Sequence, residues 1–397
     1  MKKVVLAYSG GLDTSFCIPY LTLEKDCEVH CFSVNTGGFS DEELEAMESR
    51  AMQLGAASFE AVNIEEAFYE KCIKYLIYGN VLRNDTYPLS VSAERVFQAV
   101  EVAKYAKEMK ADAIAHGSTG AGNDQVRFDL IFSSITPECE IITPIRDNGF
   151  ARAYEIEYLN KVGLEWSAAK GTYSINQGLW GTSIGGKETL NSRHAIPSEA
   201  YPSQLKETDQ TSISIGFEEG TLVSLNGEKL APIQVIKKLN DLAADYAIGR
   251  DIHVGDTIIG IKGRVAFEAA APMIIIKAHQ LLEKHTLSKW QSYWKKQLSE
   301  WYGMFVHEGQ YLEPVMRNIE TFLEDTQDKV NGEVFIKLFP HRFELEGIDS
   351  PNDLMDVPFG KYGEEQGAWT ADDAKGFIKI LGNASKIYYH KNKEDQL

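Results

Sequence analysis

Residues Val4-Val5-Leu6-Ala7-Tyr8 form a short apolar run, and Ser9-Gly10-Gly11-Leu12-Asp13-Thr14-Ser15 follows it directly into a second apolar stretch. A buried strand that turns through two glycines into a helix start is the repeating unit of a parallel sheet wrapped by helices. The same junction aims free backbone N–H groups and the positive end of a helix at one point, where an anion can sit. Gly10 and Gly11 let the backbone come close to that anion, and Ser9, Thr14 and Ser15 add hydroxyl donors. The turn has no lysine of the kind that clamps a γ-phosphate, so it suits a pyrophosphate leaving as one piece.

The pattern continues for about 165 residues. Val4–Tyr8, Val29–Val34, Ser58–Val62, Ala113–His116 and Ile141–Ile142 read as strands. Ser40-x-x-Glu43 reads as a capping box, and Leu44, Met47, Ala51 and Leu54 share one helix face before Gly55 ends it. Val96, Val100, Ala103 and Ala106 form a second stripe in a helix over Ala93–Met109. The fold class expected is α/β: a doubly wound, Rossmann-like parallel sheet at the N-terminus, then a second α+β domain and a C-terminal helical arm. In such a sheet the chemistry lies beyond the carboxyl ends of the strands.

The texture changes near residue 170. Ser174–Ser203 is rich in Gly, Ser, Asn and Pro with little periodicity and reads as an active-site loop or an inter-domain segment. Thr211–Phe217 and Thr221–Leu225 read as strands before an Asn226-Gly227 turn, Pro232–Ile248 and Ala271–Trp301 as helical, Glu333–Leu338 as a strand. Ala371–Leu381 reads as a short helix and Lys386–Leu397 as a polar reaching tail. The division expected is 1–168, 169–365 and 366–397, and no internal repeat is present.

A formal charge of −18, from 40 basic and 58 acidic residues, argues against a nucleic-acid partner and against RNA-modifying relatives of this loop type. Cys17, Cys27, Cys31, Cys72 and Cys139 make no C-x-x-C pair or metal-ligand spacing, so no protein-held metal cluster is expected and the thiols read as reduced. No apolar stretch approaches the ~18 residues of a membrane span, which points to a cytoplasmic protein without a membrane partner.

A second loop follows the strand Ala113–His116. Between Thr119 and Arg127 it gathers a hydroxyl, the Asn123 amide, the Asp124 carboxylate and a guanidinium that can fork onto a carboxylate or a polarised carbonyl.

Together, AYSGGLDTS at 7–15, AHGSTGAGNDQVRF at 115–128, YSINQGLWGTSI at 173–184, NGEKLAP at 226–232 and GFIKI at 376–380 resemble the argininosuccinate synthase family over nearly the whole chain. The first motif alone marks only the wider pyrophosphatase-loop group; GNDQVRF makes the resemblance specific. It implies an AMP-forming carbon–nitrogen ligase of arginine biosynthesis, working on small molecules. The ureido oxygen of citrulline attacks the α-phosphorus of ATP, pyrophosphate leaves, and the amine of aspartate displaces AMP from citrullyl-AMP. It also implies Mg²⁺ with the ATP, and a homotetramer.

Carried over by position, the resemblance assigns ATP to Ala7, Tyr8, Ser9, Gly10, Gly11, Leu12, Asp13, Thr14 and Ser15, with Val34 and Gly117. It assigns aspartate to Thr119, Asn123 and Asp124, and citrulline to Tyr87, Ser92, Asn123, Arg127, Ser174 and Ser183. Asp13, Asp124 and Arg127 are the residues expected to carry catalysis.

Three positions depart from the family pattern. Val91 loses a hydroxyl, Gly255 stands where a citrulline-binding Glu is expected, and Phe267 stands where a Tyr hydroxyl is expected. A carboxylate facing an ammonium is a charge-assisted contact worth roughly 1.5–3 kcal/mol. One reading is therefore a citrulline N-acylated at its α-amine, with Gly255 and Phe267 opening room for the acyl group. The other is free citrulline held through Glu268 or Asp256. A non-catalytic ATP- or amino-acid-binding relative is a third reading, opposed by the intact loops at 9–15 and 117–127.

Overall fold

Five parallel strands, β1 (Lys2–Ala7), β2 (Cys27–Asn35), β3 (Ser58–Asn63), β4 (Ala113–Ala115) and β5 (Glu140–Ile142), lie in the order β3-β2-β1-β4-β5. The chain enters at the centre, builds outward to β3, then crosses back to lay β4 against the other side of β1. That reversal opens a crevice beyond the carboxyl ends of β1 and β4, and both sequence-predicted loops leave from there. Val4, Val5 and Leu6 are fully buried because β1 is covered on both faces.

The structure, a computed structural model, describes residues 1–166, 173–357, 359–363 and 367–392. The expected boundaries at 168/169 and 365/366, and the end of the tail at 393–397, lie outside the described residues. Two compact units are present, Met1–Asn352 and Asp353–Leu397.

Within the first unit, two antiparallel sheets follow the parallel one. β6 (Tyr173–Gly178), β7 (Gly181–Gly186), β11 (Arg250–Asp256) and β12 (Lys262–Glu268) form the order β11-β12-β7-β6. β8 (Thr211–Glu218), β9 (Thr221–Leu225), β10 (Glu228–Lys229), β13 (Gly332–Phe339) and β14 (Arg342–Asp349) form β10-β9-β8-β13-β14. One apolar cluster runs from Val5 and Ile114 of the parallel sheet through Phe267 to Leu338 and joins the three sheets, while Val4 and Leu6 pack into a second on the other face of the parallel sheet.

The capping box forms as read: Ser40 accepts from the Glu43 N–H and its own N–H reaches the Glu43 carboxylate at 2.9 Å, opening the helix Asp41–Gln53. Several expectations are corrected. Ser174–Ser203 is not a loop throughout, because β6 and β7 pair as a hairpin held by fully buried Trp180, whose indole N–H donates to the Pro88 carbonyl at 3.0 Å. The stretch 271–301 is two helices, Ala270–Thr286 and Lys289–His307, divided where Ser288 caps the second. The helix from Pro232 ends at Ala244, ahead of Gly249. In the second unit the helix Ala371–Leu381 forms, and part of the expected tail is a further helix, Asn383–Lys391. No helix among the described residues is long and apolar enough to cross a membrane.

Candidate active site

The first loop is tied to itself. Ser9 Oγ and Thr14 Oγ1 lie 3.3 Å apart, the Ser15 N–H donates to the Gly11 carbonyl at 2.9 Å, and Tyr8 is buried with its hydroxyl 3.5 Å from Ser15 Oγ. Gly10 has φ +69° and a Cβ there would stand 2.7 Å from Met47 Cγ, so the turn requires glycine. No side chain caps the helix Leu12–Pro19, which leaves its first N–H groups facing the crevice. Gly117 closes the other wall: a Cβ on it would meet the Thr14 N–H nitrogen at 3.1 Å. Ala7 ends β1, Leu12 is buried under the turn, and Val34 is buried in β2.

Behind the turn, Asp13 faces Glu155 of the helix Arg152–Lys161. Burial raises both carboxyls above their ordinary range and Asp13 pushes Glu155 further, while Arg152 pulls both the other way. One Glu155 oxygen, Oε2, is buried with no partner.

In the second loop, Asn123 accepts from the Ile258 N–H at 2.9 Å, which ties the β11–β12 turn to the crevice. Asp124 opens the helix Asp124–Ile135 and accepts from Arg127 Nη1 at 2.7 Å and Arg95 Nε at 3.3 Å. Desolvation raises its carboxyl, but the two guanidinium groups outweigh that and hold it below the usual range. Arg127 also donates through Nε to the His307 carbonyl at 2.8 Å and through Nη2 to His307 Nδ1 at 3.3 Å. A guanidinium can only donate, so Nδ1 accepts and the His307 proton sits on Nε2.

Strand alternation supplies the remaining wall. In the antiparallel sheet Asn176 lies opposite Ser183, Ser183 opposite Phe267, His253 opposite Val265 and Gly255 opposite Gly263. Paired residues share a face and every second residue returns to it, so Ser174, Asn176, Ser183, Phe267, His253 and Gly255 all lie on one face. Arg95 Nη2 donates to Asn176 Oδ1 at 2.9 Å, and the Tyr87 hydroxyl lies 3.0 Å from Ser183 Oγ and within 3.1 Å of Ser90 Oγ. The Tyr87 ring stacks on His253 at 5.2 Å and leans on Phe267 at 5.4 Å.

The space directly against Gly255 and Phe267 is not the opening expected there. A Cβ on Gly255 would stand 2.8 Å from His253 Nε2 and 2.9 Å from Asn84 Nδ2, and Phe267 is fully buried. An imidazole and an amide fill the space beside Gly255. Glu268 and Asp256 point to the opposite face by alternation, Glu268 bound to Arg250 at 2.8 Å and Asp256 to Lys262.

Three buried nitrogens there have no partner: Arg83 Nε, His253 Nδ1 and His307 Nε2. Both imidazoles are only 6% exposed. Burial, then Arg127, Arg83 and His253, push His307 down to about 2, and burial with Arg83 lowers His253, so both rings are neutral near pH 7.

The structure thus brings Tyr87, Asn123, Asp124, Arg127 and Ser183 into one neighbourhood. Ser92 turns inward, donating to the Leu89 carbonyl at 3.4 Å, Val91 is buried on the same helix, and Ser174 and Thr119 are exposed. Arg83, Arg95, His253, His307 and Glu155 were missed in the sequence. Arg95 carried a signal as the closing Arg of the stretch Ser90–Arg95 that contains the Val91 departure, and His253 lies two positions before Gly255 on a strand that was not predicted.

Residues 3–165 match the family model described as the arginosuccinate synthase N-terminal HUP domain, and residues 173–388 match the arginosuccinate synthase C-terminal domain. Among curated proteins, the argininosuccinate synthase of Xanthomonas campestris is 38% identical over 99% of each chain. That of Pyrococcus furiosus is 37% identical, over 98% of this chain and 94% of its own. That of Methanocaldococcus jannaschii is 34% identical, over 99% of this chain and 100% of its own.

Proposed function

The chain belongs to the argininosuccinate synthase family, and we propose on that premise that it joins a citrulline acylated at its α-amine to L-aspartate through a citrullyl-AMP intermediate. Family membership carries the coarser activity, an ATP-dependent ligase of citrulline and aspartate in arginine biosynthesis.

In this reading the turn Ala7–Ser15, with Val34 and Gly117, holds ATP. The uncapped N–H groups at Leu12 to Thr14 receive the charge growing on pyrophosphate, in place before the reaction begins. Thr119, Asn123 and Asp124 position aspartate. Arg95 and Arg127 keep Asp124 ionised, so it can accept from the aspartate ammonium. Tyr87, Ser92, Asn123, Arg127, Ser174 and Ser183 hold the citrulline end. Little proton transfer is needed, and positioning carries most of the rate.

Mg²⁺ is held by one or two carboxylates together with substrate phosphates in sites of this chemistry. The Asp13–Glu155 pair fits that donor set, with hard oxygens beside the turn and one of them, Glu155 Oε2, without a partner. The ion would neutralise phosphate charge.

The observation that carries the acylated substrate is the face around Gly255. It offers nitrogen donors where an ammonium would need a carboxylate, and both rescuing carboxylates, Glu268 and Asp256, are bound on the other side. Among the described residues of β11 and β12, Asp251 is the carboxylate left on this face, and it is exposed and caps the Ile252 N–H at 2.7 Å.

Aspartate-dependent pyrophosphate release tests the reading. N-acetylcitrulline is expected to surpass citrulline in kcat/KM by about tenfold or more, the value of one charged contact. Equal or better use of free citrulline overturns it.

We also propose a cytoplasmic homotetramer. The helix Ala371–Leu381 buries none of its residues and leaves Phe377, Ile378, Ile380 and Leu381 exposed, which supports a neighbouring copy as its partner.

A further inference from the structure

The cluster formed by Arg83, His253 and His307 asks for something more specific than an absent ammonium. Segment 83–87 lies against β11: Asn84 Nδ2 donates to the Val254 carbonyl at 3.2 Å, and Tyr87 stacks on His253. On the far side, Arg127 grips His307 and turns its Nε2–H outward with no acceptor. The groups lie close enough that Arg83 and His253 each disfavour a proton on His307, and Arg83 does the same to His253.

Among the described residues, Glu308 and Asp256 are the carboxylates that act on Arg83. Asp256 is tied to Lys262, and Glu308 accepts from Gln310 at 3.2 Å. The Arg83 Nε–H and the His307 Nε2–H are buried donors without acceptors, costly to leave so, and His253 Nδ1 joins them as a donor in one of its two neutral tautomers. A neutral acyl group carries one carbonyl oxygen. A carboxylate carries two oxygens with about four acceptor positions and a charge that suits the half-buried Arg83 guanidinium.

We infer that the acyl group on the substrate amine ends in a carboxylate, bound by Arg83 Nε, His253 Nδ1 and His307 Nε2. This rests on the acylated-substrate reading and narrows it to dicarboxylic acyl groups. The carboxylate selects the His253 tautomer with its proton on Nδ1.

The test compares N-succinylcitrulline with N-acetylcitrulline, which share the amide and differ in the terminal carboxylate. Pyrophosphate release is measured with ATP and aspartate saturating. The succinyl compound is expected to have a kcat/KM about tenfold or more above the acetyl compound. Arg83→Gln is expected to raise KM for N-succinylcitrulline about tenfold while KM for N-acetylcitrulline and for aspartate moves less than about twofold. Arg83→Lys should recover part of the loss, and His253→Asn should act in the same direction as Arg83→Gln.

If the two acylated compounds are used equally and both better than citrulline, the carboxylate inference falls and the acylated reading stands. If free citrulline is used best, the reading itself falls and takes the inference with it. If Arg83→Gln raises KM for aspartate as much as for N-succinylcitrulline, the cluster serves aspartate and the inference is overturned. The wild-type comparison decides the point even if the variants do not fold.

Discussion

Two clusters of buried polar groups in the first unit contrast in how they are finished. At Glu283 and Lys295, 5% and 3% exposed, the ion pair closes at 2.7 Å, Gln327 donates to the second Glu283 oxygen at 3.0 Å, and Asn80 joins the first. His279 beside them has Asn80 within 2.8 Å of one ring nitrogen and Gln327 within 2.9 Å of the other. At His253 and His307, each 6% exposed, and at the half-buried Arg83, three buried nitrogens have none. The satisfaction of the two clusters is opposite. Buried polar groups are ordinarily paired, and three unpaired nitrogens gathered in one place are the ground on which we propose a ligand there.

Three variants test that contrast, in descending order of expected effect. Lys295→Met leaves the Glu283 carboxylate, 5% exposed, without its counter-ion, and urea unfolding should record a loss of about 3–5 kcal/mol. A loss under about 1 kcal/mol would mean the completed cluster is not structural.

Glu94 offers an intermediate case, a carboxyl only 1% exposed with Oε1 unpartnered. Burial, partly offset by Arg95 and Thr36, raises it from 4.5 to about 8. In the folded chain it keeps its proton where the unfolded chain has released it, so its contribution is fully present below about pH 4.5 and is lost as pH climbs to about 8. Glu94→Gln removes the titration and should stabilise the protein at pH 8 by roughly 2–4 kcal/mol while changing little at pH 5. Parallel melting curves for wild type and variant across that range would refute the assignment.

The smallest effect is expected at Arg83. Its Nε makes no bond to lose, so Arg83→Gln should change unfolding free energy by less than about 1 kcal/mol, in contrast to its effect on KM. A destabilisation matching that of Lys295→Met would erase the distinction between the clusters.

Much of the parallel sheet was legible because its signals are local. The first strand, the capping box at Ser40 and the glycine turn each depend on residues a few positions apart; the box and the turn form as read, and the strand read as Val4–Tyr8 forms over Lys2–Ala7. The β6–β7 hairpin was not legible. Its Gly-, Ser- and Asn-rich sequence has weak strand propensity, and its pairing is fixed from outside by β12 and by Trp180 reaching Pro88, 92 positions away. Missing β11 and β12 hid the alternation that places His253 and Gly255 on one face and Glu268 on the other.

The sequence by itself determined the glycine turn at Ser9–Ser15, whose hydroxyl contacts close within seven positions of one another, while Met47 and Arg50 meet Gly10 from outside it. Family motifs then determined the reaction class. The polarity of the face around Gly255 was decided only by tertiary structure. Arg127 reaches His307 across 180 positions and Asn84 reaches Val254 across 170, and no local pattern encodes such meetings. Gly255, a missing carboxylate in the sequence, is in the fold a place already taken by an imidazole and an amide, because the strand pairing and the 83–87 segment bring them there.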